Sequence, residues 1–209
     1  MENFKTIKEN SSAEILEKKS RFIANVFYVE SIEEAEKYIK DVKKKYHDAK
    51  HNCVAYAIET GDGGLAIKFN DDGEPSGTAG APMLKVILEQ EFSNILVIVT
   101  RYFGGILLGT GGLVRAYTQV TKDALDKATY IYKTLGKEMK MEIEYDELKN
   151  LKYYLEKNSI KITKIEYSDN ITATIEIPNN KIENFTNNVN KKLLKVSKYD
   201  ILQEKYIDI

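Results

Sequence analysis

The segment that most restricts how this chain can fold is a strand pattern followed directly by a run of glycines. The strand, Ile95–Val99, is five consecutive apolar residues, and Thr100–Tyr117 behind it holds five of the chain's twelve glycines. Between residues 92 and 121 the only charged side chains are Arg101 and Arg115, although 30% of the chain is charged. The pattern predicts a fully buried strand, a tight loop and a helix that starts from the loop.

Composition and charge are those of an ordinary globular protein. The 209 residues allow one large domain or two small ones, and 43% of them are hydrophobic. The formal net charge of −1 creates no global field for nucleic acid, so any anion site must be local. The single cysteine, Cys53, cannot form an internal disulfide, and Met1–Ser12 is too polar for a secretion signal. A cytoplasmic location without membrane contact is therefore expected.

The first half of the chain reads as a β-rich domain with helices at intervals. Ser31 and Glu34 have the spacing of a capping box, and apolar residues recur behind them at steps of three and four, which predicts a helix. Two further helices are predicted around Leu84–Phe92 and from the glycine loop to about Lys127. Strands are predicted over Ala13–Lys19, Arg21–Val29, Asn52–Thr60 and Leu65–Asn70, the last two joined by a turn at Gly61–Gly64.

The chain changes character after Gly136, its last glycine. Residues 137–145 alternate between polar and apolar side chains, and a helix with Asp146 as its predicted cap follows. The complete order over residues 137–209 is strand, helix, two strands, helix and strand, which is typical of ferredoxin-like domains. We therefore predict an α+β protein with one domain over residues 1–131 and a ferredoxin-like βαββαβ domain over residues 137–209.

Two glycine-rich segments, Asp71–Pro82 and Arg101–Arg115, each lead into a predicted helix. A helix start presents unpaired amides and the positive end of the helix dipole, and glycine lets a ligand approach the backbone. These properties are typical of phosphate and carboxylate sites. Arg101 and Arg115 add guanidinium groups that suit the same anions. We predict that the two segments form one concave anion site, with Arg115 pointing into it.

The candidate site residues belong to these segments. In the second segment they are Arg101, Tyr102, Gly104, Gly105, Gly109, Gly111, Gly112 and Arg115. The facing wall is predicted to consist of Asp72, Glu74, Ser76 and Thr78. Tyr102 and Phe103 also offer rings on which bases can stack.

The glycine pattern does not by itself identify a ligand. No Gly-Lys-Ser/Thr follows, which excludes a P-loop, and the parallel βαβ context of a dinucleotide-binding fingerprint is missing. The alternative is that the glycines only make a tight crossover and that Arg115 pairs with a distant carboxylate. For Asp72 and Glu74, the alternative to holding a hard cation or acting as a general base is a turn, and a turn is the favoured interpretation of Asp71.

Histidine and cysteine residues are too few for a structural zinc site. The chain has two histidines and one cysteine, so no metal and no cofactor are expected. His51 and Cys53 are expected to point to opposite faces of a strand, which argues against a catalytic pair. No catalytic residue is predicted, and the question of enzyme activity stays open.

Four segments together resemble the signature of the YigZ/IMPACT family. They are KSRFIA (Lys19–Ala24), HNCVAY (His51–Tyr56), DDGEPSGTAGAP (Asp71–Pro82) and VTRYFGGILLGTGGLVRAY (Val99–Tyr117), in the family order. The resemblance implies an N-terminal domain related to ribosomal-protein and RNase PH-like βαβ domains. It also implies a second domain similar to the last domain of translation elongation factor G. The chain departs from the family at Leu107, where many members carry lysine.

The resemblance points towards translation, because both related kinds of domain contact RNA or ribosomes. Eukaryotic members of the family are translation regulators that act through protein partners. The leading hypothesis is therefore a regulator of translation that binds RNA, the ribosome or a translation factor through the glycine-rich site. An enzyme or binder of a phosphorylated small molecule or nucleotide is the second hypothesis, and a protein-interaction module is the third. No DNA partner is expected.

Overall fold

The structure is a computed structural model that describes residues 3–61 and 64–209, and it divides the chain into two compact units. The first unit covers residues 3–131 and the second covers residues 132–209. Elements of the first unit are β1 (Asn3–Ile7), β2 (Ser11–Glu17), β3 (Ser20–Tyr28), α1 (Ile32–Lys45), β4 (His51–Glu59), β5 (Leu65–Asn70), α2 (Gly80–Glu89), β6 (Ile95–Tyr102) and α3 (Thr110–Asp126). The sheet β2-β3-β6-β4-β5 is antiparallel at every pairing, and β6 lies at its centre.

Helices cover both faces of this sheet, which explains why β6 is apolar throughout. Val97 and Val99 belong to the core that also contains residues of α2 and α3, whereas Leu96 and Ile98 belong to the core under α1. Successive side chains of a strand point to opposite faces, so a strand covered on both sides needs a continuous apolar run. The rule that ligands gather at the carboxyl ends of parallel strands does not apply to this antiparallel sheet.

Two local features that the sequence predicts are present in the structure, at the start of α1 and in the β4–β5 hairpin. The amide of Glu34 donates to Ser31 Oγ at 3.1 Å, and the Glu34 carboxylate accepts from the amide of Glu30 at 2.9 Å. In a capping box the Glu34 carboxylate would accept from the amide of the cap residue, Ser31. Here it accepts from the amide of Glu30, the residue before the cap. Strands β4 and β5 pair antiparallel as predicted, whereas their predicted turn, Gly61–Gly64, includes residues 62 and 63, which lie outside the described residues.

The second unit is built on the predicted strand–helix–strand–strand–helix–strand order. Its elements are β7 (Tyr130–Ile143), α4 (Leu148–Lys157), β8 (Lys161–Tyr167), β9 (Ile171–Pro178), α5 (Asn179–Asn190) and β10 (Lys198–Asp208). The antiparallel strand order β10-β7-β9-β8 is that of a split βαβ domain. The predicted α+β fold class is thus confirmed. Helix α4 begins after a 3-10 turn, Tyr145–Glu147, so Asp146 is not its cap.

Strand β7 begins before residue 137, where the sequence pattern places the start of the second domain. Residues 133–136 of β7 pair with residues 205–208 of β10. We therefore expect a fragment Tyr132–Ile209 to unfold cooperatively on heating, as followed by circular dichroism. A fragment Lys137–Ile209 should melt at a lower temperature, because it lacks these four pairings. Absence of a cooperative transition in the longer fragment would contradict an independent second domain.

Candidate functional site

The two glycine-rich segments line one cleft of about 390 Å³ in the first unit, which we call the glycine cleft. Gly73–Pro75 comes from the first segment, and Leu107–Thr110 comes from the second. The other residues that line it are Lys50, His51, Arg101, Phe103 and Leu113. The structure therefore brings both segments to a common concavity, at the end of β6 and the start of α3.

A buried ion pair forms part of the wall of the cleft. Arg101 Nη1 donates to both carboxylate oxygens of Glu74, at 2.7 and 3.0 Å, and the two side chains are only 6% and 3% exposed. Arg101 Nη2 donates to Ser20 Oγ at 3.4 Å, while Nε is buried without a partner in the described structure. The charge of Arg101 is therefore compensated within the protein, contrary to the prediction of a cation free for a ligand.

The ion pair continues into a buried network of neutral groups. The Tyr117 hydroxyl donates to Glu74 Oε1 at 2.9 Å, and Cys53 Sγ lies 3.3 Å from that hydroxyl. Burial raises the pKa of Tyr117, and burial also raises the pKa of the Cys53 thiol to about 12. The carbonyl of Asp71 accepts from the thiol at 3.0 Å. Both groups therefore stay protonated at physiological pH and act as hydrogen-bonding elements of the core.

The raised pKa of Cys53 makes its reactivity a direct test of this network. We expect the native protein to react with iodoacetamide at pH 8 far more slowly than a free thiol, because the thiolate is the nucleophile. In denaturant the same single cysteine should react at the ordinary rate, which supplies an internal control. Alkylation that is equally fast in the native and denatured chains would contradict the buried, protonated thiol.

His51 shares a face of β4 with Cys53, so the prediction that they point to opposite faces is wrong. The two residues are two positions apart, and alternation places such residues on the same side. His51 Nδ1 lies 2.8 Å from the carbonyl oxygen of Asp72, so Nδ1 is the donor, and in the neutral imidazole Nε2 is the acceptor. His51 is 8% exposed and lines the glycine cleft. Across the described residues, Nε2 has no hydrogen-bond partner.

The first glycine segment already contains its own anion. The carboxylate of Asp71 accepts from the amides of Gly77 at 2.8 Å, Ala79 at 3.0 Å and Gly80 at 2.8 Å. These amides lead into and begin α2, so Asp71 caps the helix that the sequence suggested for ligand binding. Gly80 is required for space, because a Cβ there would lie 2.8 Å from the backbone nitrogen of Asn70. These three amides are therefore not available to an external anion.

Three of the four predicted wall residues do not line the glycine cleft. Asp72 bonds Lys43 Nζ at 2.8 Å and the amide of Asn52 at 2.7 Å. Thr78 is buried and donates to the carbonyl of Pro75 at 2.6 Å, and Ser76 is exposed. Asp72 and Thr78 are thus held by hydrogen bonds within the protein, away from the cleft. Glu74 is the member of the set that reaches the cleft.

The second glycine segment opens into a helix start that is not capped. Gly109, at φ 70°, is the N-cap of α3, and the helix has neither a side-chain cap bond nor an acidic residue in its first turn. The first amide bonded within the helix is that of Leu113, which donates to the carbonyl of Gly109 at 3.0 Å. The amides of residues 110–112 therefore keep the anion-binding character that the sequence predicts.

Tyr102 and Arg115 do not join Arg101 in the cleft. Tyr102 is the next residue of β6, so it points to the opposite face of the sheet, where its hydroxyl donates to Asp48 at 2.7 Å. This hydrogen bond lowers the pKa of Asp48 and raises the pKa of Tyr102. Arg115 instead lines a neighbouring groove of about 430 Å³, together with Lys18 and residues of α3. We call this second concavity the Arg115 groove.

The remaining glycines serve the backbone in different ways. A Cβ at Gly104 would collide with the carbonyl group of Lys19, whereas Gly105 has φ 83° and open space around it. Gly111 stands near the guanidinium of Arg115, and Gly112 packs against the side chain of Leu108 and lines the Arg115 groove. Gly109 is the member of this set that lines the glycine cleft.

Several residues that sequence reasoning did not select take part in the site, among them Ser20, Lys50, His51 and Tyr117. The clearest overlooked signal is Tyr117, which recurs with Leu113, Val120 and Ala124 at steps of three and four, the spacing of an apolar stripe on a helix. A buried tyrosine hydroxyl needs a hydrogen-bond partner, so a tyrosine in such a stripe predicts a polar group opposite it. His51 had a signal too, because its even spacing from Cys53 places both side chains on one face.

The ionisable groups that line the glycine cleft are one carboxylate, one imidazole, one guanidinium and one ammonium group, from Glu74, His51, Arg101 and Lys50. Within residues 3–61 and 64–209, no three histidine, cysteine, aspartate or glutamate side chains are grouped as ligands for a metal ion. No helix in this part of the chain is both long and apolar enough to cross a membrane.

Known proteins resemble this chain over both units. The Impact N-terminal domain family matches residues 18–125, and a domain of unknown function (DUF1949) matches residues 141–193. The chain is 39% identical to the IMPACT family member YvyE of Bacillus subtilis over 171 residues, which are 82% of this chain and 78% of YvyE. It is 37% identical to the IMPACT family member YigZ of Escherichia coli over 169 residues, 81% of this chain and 83% of YigZ.

A solved structure has the same overall architecture. The crystal structure of a protein described as hypothetical aligns with 98% of this chain and 100% of its own, at 32% identity and a TM-score of 0.66. The matched region of the Impact N-terminal domain includes every residue that lines the glycine cleft.

Proposed function

The chain belongs to the IMPACT family, and from that premise we propose that it regulates translation by binding RNA, the ribosome or a translation factor through the glycine cleft. Family membership supports the link to translation, because the eukaryotic members that this chain resembles are translation regulators. Such a role takes place in the cytoplasm. Family membership does not indicate how the chain binds its partner, so that part of the proposal rests on the structure of the glycine cleft.

The observation that carries the proposal is the uncapped start of α3 beside Lys50. Gly109 and Thr110 line the glycine cleft, so the free amides and positive dipole end of α3 lie at its wall. Lys50 contributes an exposed ammonium group, while the charge of Arg101 is compensated by Glu74. An anionic group near α3 therefore gains hydrogen bonds without displacing a partner within the protein.

Apolar side chains at the cleft favour a ligand that also carries a ring or an apolar group. Phe103 is 48% exposed and Leu107 is 82% exposed, and both line the cleft. A nucleotide base can stack on Phe103, and an apolar side chain of a protein partner can pack on Leu107. Leu107 also lowers the local positive charge relative to family members that carry lysine there.

Association with purified bacterial ribosomes and an effect on translation in vitro test the proposal. We expect the wild-type chain to co-sediment with ribosomes and to change the yield of a reconstituted translation reaction. The double variant Lys50→Gln/Phe103→Ala should weaken association about tenfold or more, because loss of one stacking contact costs about 1–3 kcal/mol.

A matched control removes the same kinds of group elsewhere on the first unit. Lys37→Gln/Phe69→Ala takes away one exposed lysine on α1 and one exposed phenylalanine on β5. This variant should associate and act as the wild type does. A wild-type chain that neither associates with ribosomes, RNA or translation factors nor changes translation would refute the proposal.

A second candidate function, binding or conversion of a phosphorylated small molecule, is favoured by one observation. His51 places an unpartnered Nε2 in a cleft whose volume suits a small ligand. Nucleoside phosphates at about 100 times their dissociation constant should then stabilise the chain by about 2.7 kcal/mol. A thermal shift with nucleotides, together with no ribosome association, would select this candidate over translation regulation.

A further inference from the structure

Two lysines occupy the tight turn between β2 and β3. Glu17 pairs with Ser20, so Lys18 and Lys19 are the two residues of the loop, and their φ angles are 44° and 66°. Positive φ at both positions defines a type I′ turn, in which asparagine and glycine are strongly preferred. Lysine in this conformation is strained, and such strain persists where the side chains serve another purpose.

The turn is held in place by the loop that follows β6. The backbone of Lys19 and Ser20 packs so closely on Gly104 that there is no room for a Cβ. Ser20 Oγ also accepts from the amide of Gly104 at 3.2 Å. The turn is therefore fixed against the segment that leads into α3, with Lys18 at the Arg115 groove and Lys19 next to it in the turn.

Three cations without carboxylate partners surround this groove. Lys18 and Arg115 line it, Lys19 is adjacent in the turn, and none of the three forms an ion pair among the described residues. By contrast, the next cation along the chain, Arg21, makes two bonds of 2.7 Å to Glu14. Glu17 also lines the groove, but in the described part of the chain it forms neither a hydrogen bond nor an ion pair with these cations.

Arg115 occupies an electrostatically unfavourable position. Its Nη1 lies 3.6 Å from where a Cβ at Gly111 would stand, so the guanidinium folds back over the first turn of α3. A cation at a helix N-terminus is repelled by the helix dipole, and no acidic residue in that turn compensates for it. An external anion would relieve both the repulsion and the lack of a counter-charge.

We propose that the Arg115 groove binds phosphate groups of single-stranded RNA, with Lys18, Lys19 and Arg115 as contacts. The inference rests on the proposed function, which supplies the role in translation, and it narrows the binding partner to RNA. Leu108 lines both the Arg115 groove and the glycine cleft, so the two concavities adjoin at the start of α3. Phe103 lines the adjoining glycine cleft with an exposed ring on which a base can stack, and a combination of phosphate and aromatic contacts is typical of single-strand binding.

The strained turn makes the test unusually selective. Replacing the two lysines by the preferred turn residues, Lys18→Asn/Lys19→Gly, should raise the melting temperature by roughly 2–6 °C. The same variant should bind a short single-stranded RNA of mixed sequence about tenfold more weakly at low salt. The slope of log affinity against log salt concentration should become shallower by about 1.4, because each phosphate contact contributes about 0.7 for single strands. Fluorescence anisotropy over about 50–200 mM salt measures both.

Three further variants separate charge from strain and position. Lys18→Arg/Lys19→Arg keeps the charges and should keep the wild-type RNA affinity. Arg115→Gln should weaken RNA binding. It removes one phosphate contact, so the salt slope should become shallower by about 0.7 relative to the wild type. Lys37→Gln/Lys40→Gln removes two exposed lysines of α1, outside the groove, and should leave RNA affinity unchanged.

The outcomes distinguish this inference from the proposed function. If the turn variant is more stable but binds RNA as the wild type does, the inference is overturned while ribosome association through the glycine cleft stands. If the wild type does not bind the RNA, the inference is overturned and the proposed function depends on its own ribosome and translation assay. If polyglutamate of equal charge competes as well as RNA does, the groove is assigned to an acidic protein partner instead.

Discussion

Glu74→Ala is expected to lower the free energy of unfolding of the first unit by about 3–5 kcal/mol, the cost of leaving one member of a buried ion pair alone. The substitution leaves the guanidinium of Arg101 charged in a site where it is 6% exposed. It also removes the acceptor of the Tyr117 hydroxyl, which bonds Glu74 Oε1 at 2.9 Å. Urea unfolding of the full chain measures the effect, with the fragment Tyr132–Ile209 identifying the transition of the second unit.

Two other variants show whether burial is the cause. Glu14→Ala breaks the ion pair with Arg21, which has equally short bonds but is exposed, and should cost no more than about 1 kcal/mol. Glu74→Leu/Arg101→Met removes both charges and should recover much of the lost stability, because apolar residues of similar size often replace a buried pair without loss. Equal effects of Glu74→Ala and Glu14→Ala would contradict a buried pair.

The buried pair also changes which groups the glycine cleft offers to the anion of the proposed function. Arg101 emerges at the end of β6, where the sequence predicted a guanidinium free for a ligand. Both carboxylate oxygens of Glu74 accept from Arg101 Nη1, so the charge of Arg101 is neutralised. The positive potential of the cleft comes instead from Lys50 and from the start of α3. Under the proposed function, an anion in the cleft is therefore expected to bind the backbone amides at the start of α3, where Gly109 has no side chain to block its approach.

Regular patterns explain which parts of the fold could be predicted. The apolar run of β6, the capping box of α1 and the alternation at the start of β7 are all local signals, read from residues that are neighbours in sequence. The βαββαβ order of the second unit follows from a series of such signals, and its strand order is the one typical of that motif. Local signals do not give exact boundaries, so β7 begins at Tyr130 rather than at residue 137.

Pairing of distant side chains explains what could not be predicted in the site. Glu74 meets Arg101 across 27 positions and Tyr117 across 43, and no local pattern specifies either contact. Asp71 was interpreted as a turn residue, but it binds amides six to nine positions away and takes the place of the expected ligand. The glycines indicated that two helices begin with free amides. They did not indicate that the chain itself caps α2, through Asp71, and leaves α3 uncapped.

Two placements could have been predicted more sharply. Tyr102 directly follows Arg101 in a strand, so alternation alone places the two on opposite faces. Arg115 was predicted to point into one site shared by both glycine segments, but it is exposed and lines a separate groove. The sequence could not reveal that separate concavities adjoin the start of α3, because that depends on the β2–β3 turn, more than 80 positions earlier in the chain.

Gly104→Ala is the second substitution expected to have a large effect, with a loss of about 2–4 kcal/mol in the free energy of unfolding. The added Cβ would collide with the carbonyl carbon and oxygen of Lys19 and would stand 2.5 Å from the amide nitrogen of Ser20. These are backbone atoms, which cannot rotate away as the end of a side chain can. The β2–β3 turn and the loop after β6 must therefore separate, which also breaks the bond from the Gly104 amide to Ser20 Oγ.

The neighbouring Gly105 provides the control, because its backbone conformation, and not a lack of space, requires glycine there. Gly105 has φ 83° and no atom within 4 Å of an added Cβ, so Gly105→Ala should cost only about 1–2 kcal/mol of backbone strain. Asparagine tolerates positive φ, so Gly105→Asn should lose less stability than Gly105→Ala, whereas Gly104→Asn should be as damaging as Gly104→Ala. Thermal and urea unfolding of the four variants measure the difference. A smaller loss for Gly104→Ala than for Gly105→Ala would mean that the turn bearing Lys18 and Lys19 is not fixed against this loop, and the placement of those lysines beside the Arg115 groove would fail with it.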